Sequence, residues 1–353
     1  MGNTFGRIFR LTTFGESHGE AVGGVIDGCP SRLVLDFQAI DELLAQRRPH
    51  NDFETPRREP DKVRFLSGIK DGVTLGTPIA FVVENQKHNS AEYDELKDVF
   101  RPSHADYTYQ AKYGIRDHCG GGRASARETV ARVVAGAIAM QFLQQQGITV
   151  NACVTQIGNV QVSDTQNLDF QTAEQSSLRC PEPDAEAKMS ANIAETQQKG
   201  DTLGGIITCV ISGCKAGLGE PVFDRLSATL AHAMMSIPSA RGFEIGEGFA
   251  SALMTGSRYA DAFNGDFSTK TNRSGGIQGG ISNGMDIRFS VAFHPVVTTG
   301  KPIESVDQQG NPRTVQPKGR HDICQVPRAV PVVQSMAAIV IMDNFLLQKS
   351  INQ

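Results

Sequence analysis

The chain has 353 residues, 39% apolar and 20% charged, with a formal net charge of -4, which fits a folded globular protein with one large core or two modest ones. The negative balance argues against a general coat for nucleic acid or an anionic membrane, while leaving local basic clusters open. Seven cysteines form an odd count without a CxxC pair, no signal-like segment opens the chain and no apolar run reaches spanning length, so a cytoplasmic protein with reduced thiols and no membrane span is expected.

Strand-like runs around Phe9 and Leu11, and around Val22, Val25 and Ile26, flank TFGESHG, Thr13 to Gly19. The two glycines let the backbone turn near a ligand, and Ser17 and His18 add a hydroxyl and the side chain that titrates closest to neutrality. His18 is therefore the first candidate for proton transfer, although an ordinary hairpin turn explains the segment equally well by itself. After a break at Cys29-Pro30, Asp36 has the character of an N-cap. Phe37, Ile40, Leu43 and Leu44 then mark one face of a helix ending near Arg47. The next stretch, RRPHNDFETPRREPD, sets Arg47, Arg48, Arg57, Arg58 and Lys62 among prolines that bar regular structure. It is either a solvated surface loop or a flap whose guanidinium forks close on carboxylate or phosphate. Val63 to Ile69 and Ile79 to Glu84 read as strands. GIKDG from Gly68, ahead of Ile79, is echoed by GISNG from Gly280, ahead of Ile287, which suggests two related halves.

Arg101 to Thr129 is the densest segment, with His104, Asp106, three tyrosines, Arg116, His118, three consecutive glycines and Arg123. Ser125 and Glu128 have capping-box spacing, and Val130, Val133, Val134, Ala137 and Phe142 carry a helix toward Gly147. A glycine loop feeding a capped helix is a natural anion site. A flexible linker would explain the glycines but not Arg116, Arg123 and Arg127 crowding one turn. His118 and Cys119 stand side by side with no second pair at ligand spacing, so no metal is expected.

Asn151 to Ala194 reads as polar and irregular apart from a strand over Ala152 to Ile157 and a break at Pro181 to Pro183. Gly204 to Ile211 is strand-like, and Asp224 has the place of a cap for a helix bearing Leu226, Leu230, Ala233, Met234 and Ile237. His232 on that helix reads as packing. A second glycine loop, Arg273 to Gly284, runs into Met285, Ile287, Phe289, Val291 and Phe293, the alternation of a half-buried strand. KGRHD, Lys318 to Asp322, precedes a long core helix expected to start at Pro331. Four islands of glycine, arginine, histidine and acid, separated by core elements, point to one site for a multiply anionic small molecule, with phosphate departing or being transferred.

TFGESHG, FRPSHADYTYQAKYGIRD from Phe100, GGGRASARET from Gly120, GLGEPVFDRL from Gly217, GGIQGGISNG from Gly275 and GRHDICQVPRAVP from Gly319 resemble the signatures of the chorismate synthase family. The resemblance implies one domain over residues 1–353 with an α/β fold, a sandwich of antiparallel sheets and helices, in a homotetramer. It implies anti 1,4-elimination of phosphate from 5-enolpyruvylshikimate 3-phosphate to give chorismate, with reduced FMN required. His18 then corresponds to the acid at the leaving phosphate, with Ser17 beside it. His104 matches a histidine that helps set flavin protonation, and Asp322 matches the aspartate where removal of the ring hydrogen is completed. Arg47, Arg48, Arg123 and Arg320 match phosphate-holding arginines. Arg123, Ala124, Ser125, Pro238, Ser239, Gly280, His294, Thr298 and Arg320 match flavin positions. Departures from the family pattern include the short loop at Asn51-Asp52-Phe53, His118-Cys119 in place of an aromatic-arginine pair, Ala124 for serine and His294 for lysine. No dinucleotide fingerprint follows a strand, so the reductant is expected to be external. The alternative reading is a non-catalytic binder of flavin or a phosphorylated metabolite.

Overall fold

The first sheet opens with β1 (Thr4–Phe5), β2 (Arg10–Phe14) and β3 (Ala21–Asp27), antiparallel neighbours in chain order. In β2, Leu11 and Thr13 are buried while Arg10, Thr12 and Phe14 are exposed, the period-two pattern of a sheet covered on one face. Asp36 caps α1 (Phe37–Gln46) by accepting the Ala39 N–H at 3.1 Å, and the helix buries Ile40 and Leu44. The chain returns through β4 (Val63–Phe65), the hairpin of β5 (Ile69–Lys70) and β6 (Val73–Thr74), and β7 (Ile79–Glu84). The sheet order is β1-β2-β3-β7-β4, antiparallel throughout. This structure is a computed structural model describing residues 2–55, 57, 59–86, 96–316 and 322–351. Arg58, Lys318 and Arg320 lie outside the described residues.

Helices α2 (Asp106–Tyr113) and α3 (Thr129–Gln145) lead to the second half. There β8 (Thr149–Ile157), β9 (Val160–Gln161), α4 (Phe170–Gln175), α5 (Pro183–Gln198) and β10 (Gly205–Ser212) come first. They are followed by α6 (Leu226–Met235), β11 (Ala240–Ile245), α7 (Gly256–Tyr259), the hairpin β12 (Ile277–Gln278) and β13 (Ile281–Ser282), and β14 (Ile287–Phe293). A last hairpin, β15 (Ile303–Val306) with β16 (Pro312–Val315), precedes α8 (Val326–Ile351). The second sheet has the order β11-β14-β10-β8-β9, again antiparallel.

In each sheet the last long strand slots between the third and fourth, a helix links the third to the fourth, and a two-stranded hairpin precedes the last. The two related halves are thus visible in topology. The two pentapeptides that suggested them fall on opposite arms of their hairpins, GIKDG on the first arm and GISNG on the second.

Several local expectations change. Asn151 to Ala194 is more regular than its polarity suggests, because α5 needs only Ala185, Met189 and Ile193, four residues apart, to bury one face. Asp224 does not cap α6; its carboxylate pairs with Arg7 instead. Ser125 accepts the Arg127 N–H at 3.2 Å, capping a 3₁₀ turn ahead of α3, while the Glu128 carboxylate binds Thr13 and Arg132. Helix α8 begins five residues before Pro331, which sits inside it, with its carbonyl taken by the Ser335 hydroxyl at 2.6 Å. Contrary to the sequence expectation, α8 is long and apolar enough to cross a bilayer, yet 78% of its apolar stretch is buried in the protein.

That burial comes from α3 and α8 lying against each other between the sheets, α3 touching β2 and β3 and α8 touching β8 and β10. At their crossing, a Cβ on Gly136 would stand 2.2 Å from Ser335 Cβ and 2.4 Å from its Cα. Asp343 on α8 also holds the N-terminus, accepting the Arg7, Ile8 and Phe9 N–H groups at 2.9, 2.7 and 2.9 Å. Gly136→Ala is predicted to lower the urea midpoint. Overpacking against helix backbone costs about 1–3 kcal/mol, against roughly 0.5–1 kcal/mol gained in helix propensity. A midpoint at or above that of the parent would show that the helices separate without penalty.

Candidate active site

The Thr13–Gly19 turn is built into the structure by its backbone. Ser17 N–H donates to Gly122 O at 3.3 Å, and Asn85 Nδ2 donates to Glu16 O at 3.0 Å and Gly19 O at 2.8 Å. The glycine loop closes over it. Gly120 has φ +78°, and a Cβ there would lie 2.7 Å from His18 Cδ2 and 3.0 Å from Ser17 Oγ, so only glycine permits this contact. Ser17 is 2% exposed and its Oγ has no hydrogen-bond partner among the described residues.

On one side of this turn lies a cavity of about 260 Å³. Arg47, Arg48, Arg57, Arg127 and Arg328 line it, with Glu59, Asp61 and Asp322 among them. Arg47 ends α1, Arg127 heads α3 and Arg328 lies in the first turn of α8, so helix ends set their positions. Arg57 Nη2 donates to Ser17 O at 3.0 Å and to Glu59 at 2.8 Å. Arg127 pairs with Asp61 and donates to Asn85 Oδ1 at 2.7 Å. Arg328 Nη1 binds both Asp322 oxygens at 2.9 and 2.8 Å, its Nε donates to Arg47 O at 3.0 Å, and Thr55 N–H donates to Asp322 at 2.8 Å. The Nε atoms of Arg47 and Arg48 are buried without partners among the described residues. Burial pushes the Arg47 guanidinium down to about 9, with Asp61 opposing and Arg328, Arg127 and Arg57 adding to the fall. An anion placed here would satisfy both unpartnered Nε groups and relieve that crowding.

On the other side is a cavity of about 580 Å³ with a different lining. Phe14, Tyr109, Tyr113 and Ile115 give it apolar walls beside Gly121, Gly122, Arg123 and His104. His104 Nδ1 lies 3.0 Å from Asp106 Oδ1, so it donates to the carboxylate and leaves Nε2 as the other ring atom. Asp106 also accepts from Arg101 Nε and Nη2, each at 2.8 Å, and pairs with Arg116 at 3.0 Å. Burial by itself would raise the Asp106 pKa. The hydrogen bonds and charges of Arg101 and His104 outweigh it and hold the carboxyl well below the usual carboxylate range. Arg123 reaches Gly15 O, Asn3 Oδ1, Thr13 O and Thr13 Oγ1 at 2.8 to 3.3 Å, a cation held by neutral acceptors.

Arg47, Arg48, Ser125, Thr298 and Asp322 therefore line the first cavity and His104 and Arg123 the second, while Ser17 touches the first through its carbonyl bond to Arg57 and His18, packed on Gly120, lines neither. Ala124 ends the 3₁₀ turn between them. Pro238, Ser239, Gly280 and His294 line neither. His294 N–H donates to Ser239 O at 3.0 Å, and Gly280 packs on Arg225 and Glu220. Arg57 and Arg127 belong to the basic clusters named from the sequence, whereas Arg328, Glu59 and Asp61 are not singled out there. For Glu59 and Asp61 the signal is the run RREPD, where acids stand beside arginines.

The model of the family described as Chorismate synthase matches residues 9–346. The chain is 53% identical over 351 residues to the chorismate synthase of Christiangramia forsetii, and 52% identical over 353 residues to that of Parabacteroides distasonis, each alignment covering 99% of both chains. A solved crystal structure of a chorismate synthase shares the fold with a TM-score of 0.76 at 30% identity, covering 97% of this chain and 93% of the other. A match of that extent in sequence and in fold, around a cavity lined by five arginines, places the chain in the chorismate synthase family of carbon–oxygen lyases.

Proposed function

We propose that the arginine-lined cavity takes 5-enolpyruvylshikimate 3-phosphate and that the chain eliminates its phosphate to give chorismate with the help of reduced FMN. The observation that carries this reading is the pair of buried, unpartnered Nε atoms on Arg47 and Arg48 in a cavity where guanidinium groups outnumber carboxylates. Arginine forks bind carboxylate and phosphate oxygens in two-point contacts, which orients as well as holds a substrate bearing both.

In the elimination, the allylic carbon–oxygen bond to phosphate breaks with its electron pair leaving on phosphate, a ring hydrogen leaves from the opposite face, and the existing ring double bond shifts so that a conjugated pair of double bonds results. His18, against the Gly120 wall, is assigned the proton that the departing phosphate needs, with Ser17 Oγ as its neighbouring polar group. Asp322, fixed as an acceptor by Arg328 and Thr55, is assigned to removal of the ring hydrogen. The residues present suit a flavin. Ser125 and Thr298 offer hydroxyls in the arginine cavity, the second cavity has aromatic walls beside Arg123 and His104, and Ala124, Pro238, Ser239, Gly280, His294 and Arg320 are the further candidates to hold it. When bound, reduced flavin lends an electron that weakens the allylic bond and regains it, so no net redox results. The reductant is assigned to an external source and the enzyme to the cytoplasm.

Mixed anaerobically with substrate and chemically reduced FMN, the protein is expected to release chorismate and phosphate in equal amounts. NADPH with oxidised FMN is expected to give none. Loss of general acid catalysis in His18→Ala is expected to slow turnover about 10²- to 10⁴-fold. Flavin binding without product would return the chain to a non-catalytic binder, and near-parent turnover in His18→Ala would remove that histidine from the reaction.

Arg47 ties binding to stability with opposite signs. Its folded pKa lies below the ordinary value, so the charged form destabilises the folded protein at every pH below about 9 until an anion arrives. Arg47→Met is expected to raise unfolding stability at pH 7 by roughly 0.5–2 kcal/mol while weakening substrate binding. Lower stability together with unchanged KM would refute the assignment.

A homotetramer is proposed as the working assembly. Phe223, Phe249, Leu253 and Phe267 are 80% or more exposed and support self-association through these side chains. Sedimentation is expected to give four copies, and Phe223→Asp with Phe249→Asp a smaller species of unchanged helical content. A tetramer that survives the double substitution would exclude Phe223 and Phe249 from the assembly contacts.

A further inference from the structure

We propose that Asp117, His118 and Cys119 form a binding site for one thiophilic divalent cation of the zinc class. A carboxylate oxygen, an imidazole nitrogen and the thiol sulfur of these three consecutive residues all lie within 4.8 Å of one another. Consecutive residues rarely converge, and here a turn brings them together. The Cys119 N–H donates to Asp117 Oδ1 at 2.9 Å, folding the aspartate back over the cysteine.

Cys119 Sγ stands 3.8 Å from His118 Nε2. Around a tetrahedral zinc, bonds of about 2.3 Å to sulfur and about 2.0 Å to nitrogen set the sulfur–nitrogen edge at roughly 3.5 Å. Both atoms thus reach a shared ion after a shift of a few tenths of an ångström. Thiolate and imidazole together select zinc-like ions over magnesium or calcium. One thiolate, one carboxylate and one neutral imidazole balance a dication, with water completing the fourth position. The thiol proton leaves to solvent on binding.

Cys119 is the one cysteine of the seven that is not buried. Burial pushes Cys29, Cys153, Cys214 and Cys324 up to about 12, which keeps them protonated and out of competition for metal. Asp117 lines the aromatic cavity, and Gly120, next in the chain after Cys119, packs on the His18 ring. The ion would sit at the rim of the active site. The site depends on its own side chains and its test reads metal binding, independent of turnover.

Protein kept reduced with a phosphine is titrated with Co²⁺ and the thiolate-to-cobalt charge-transfer absorption is followed. One equivalent is expected to saturate the band, and Zn²⁺ to abolish it by displacement. Cys119→Ser should lose the band and weaken Zn²⁺ binding by more than the roughly 10- to 100-fold that an outer-sphere partner contributes. His118→Asn should also weaken binding, with circular dichroism confirming both variants folded. A band that persists in Cys119→Ser, saturation without any thiolate band, or equal Zn²⁺ affinity in the parent and both variants would overturn the site.

Discussion

Too many cations in too little water is the condition from which the arrangement of this active site follows. Among the described residues, five guanidinium groups and three carboxylates face one cavity of about 260 Å³, an excess of two positive charges (5 − 3). Each acid is committed: Glu59 to Arg57, Asp61 to Arg127 and Asp322 to Arg328. Left over are Arg47 and Arg48, each with a buried Nε unpartnered among the described residues, Arg47 being nearly inaccessible to solvent. Desolvated like charges cost free energy unless something opposite arrives, so this cavity is set to favour an anion. Attraction for an anion and the depressed Arg47 pKa are two faces of one imbalance.

Such an imbalance needs a scaffold that does not relax away from it. Arg127, in the 3₁₀ turn just ahead of α3, and Arg328, in the first turn of α8, both line the cavity, so the starts of two helices carry two of its guanidinium groups. The helices meet at Gly136 and Ser335, nine and seven residues further on (136 − 127 and 335 − 328). At 1.5 Å per residue that contact lies about 10–14 Å from the charges it holds together. Without a side chain at 136 the backbones come close, and the two helix starts line one cavity. Arg328 extends the tie to α1 through the Arg47 carbonyl, joining positions 281 residues apart.

Local signals were legible in the sequence and long-range ones were not. The Asp36 cap, the strand over Ile287 to Phe293 and the glycine loop at Gly120 depend on neighbours within a few residues, and all appear where their chemistry puts them. Asp224 and Glu128 have equally good capping chemistry, but Arg7 and Thr13, distant in sequence, compete for their carboxylates and win. The start of α8 was misplaced because Pro331 is a favoured first residue, and nothing local reveals that its carbonyl would be met by Ser335. The quoted motifs contained Arg57, Arg127 and Arg328, yet a motif shows which residues recur and not which of them face the same space. Gly280 and His294 line neither cavity, although Val296 and Thr298, next along the chain from His294, line the first.

The Thr13–Gly19 turn gains its meaning from the two unlike spaces it divides. Residues 121 to 123 line the aromatic cavity, and residues 125 to 127 line the cationic one. The turn follows the same division, with Gly15 and Glu16 facing the first and the Ser17 carbonyl held by Arg57 of the second. His18 packs on Gly120 in this wall, and the carbonyl of its neighbour Ser17 is held by Arg57. The His104–Asp106 pair lies on the other side, its carboxylate fixed within the aromatic cavity by Arg101 and Arg116. Two histidines of one chain are thereby set in unlike surroundings by a wall a few residues thick.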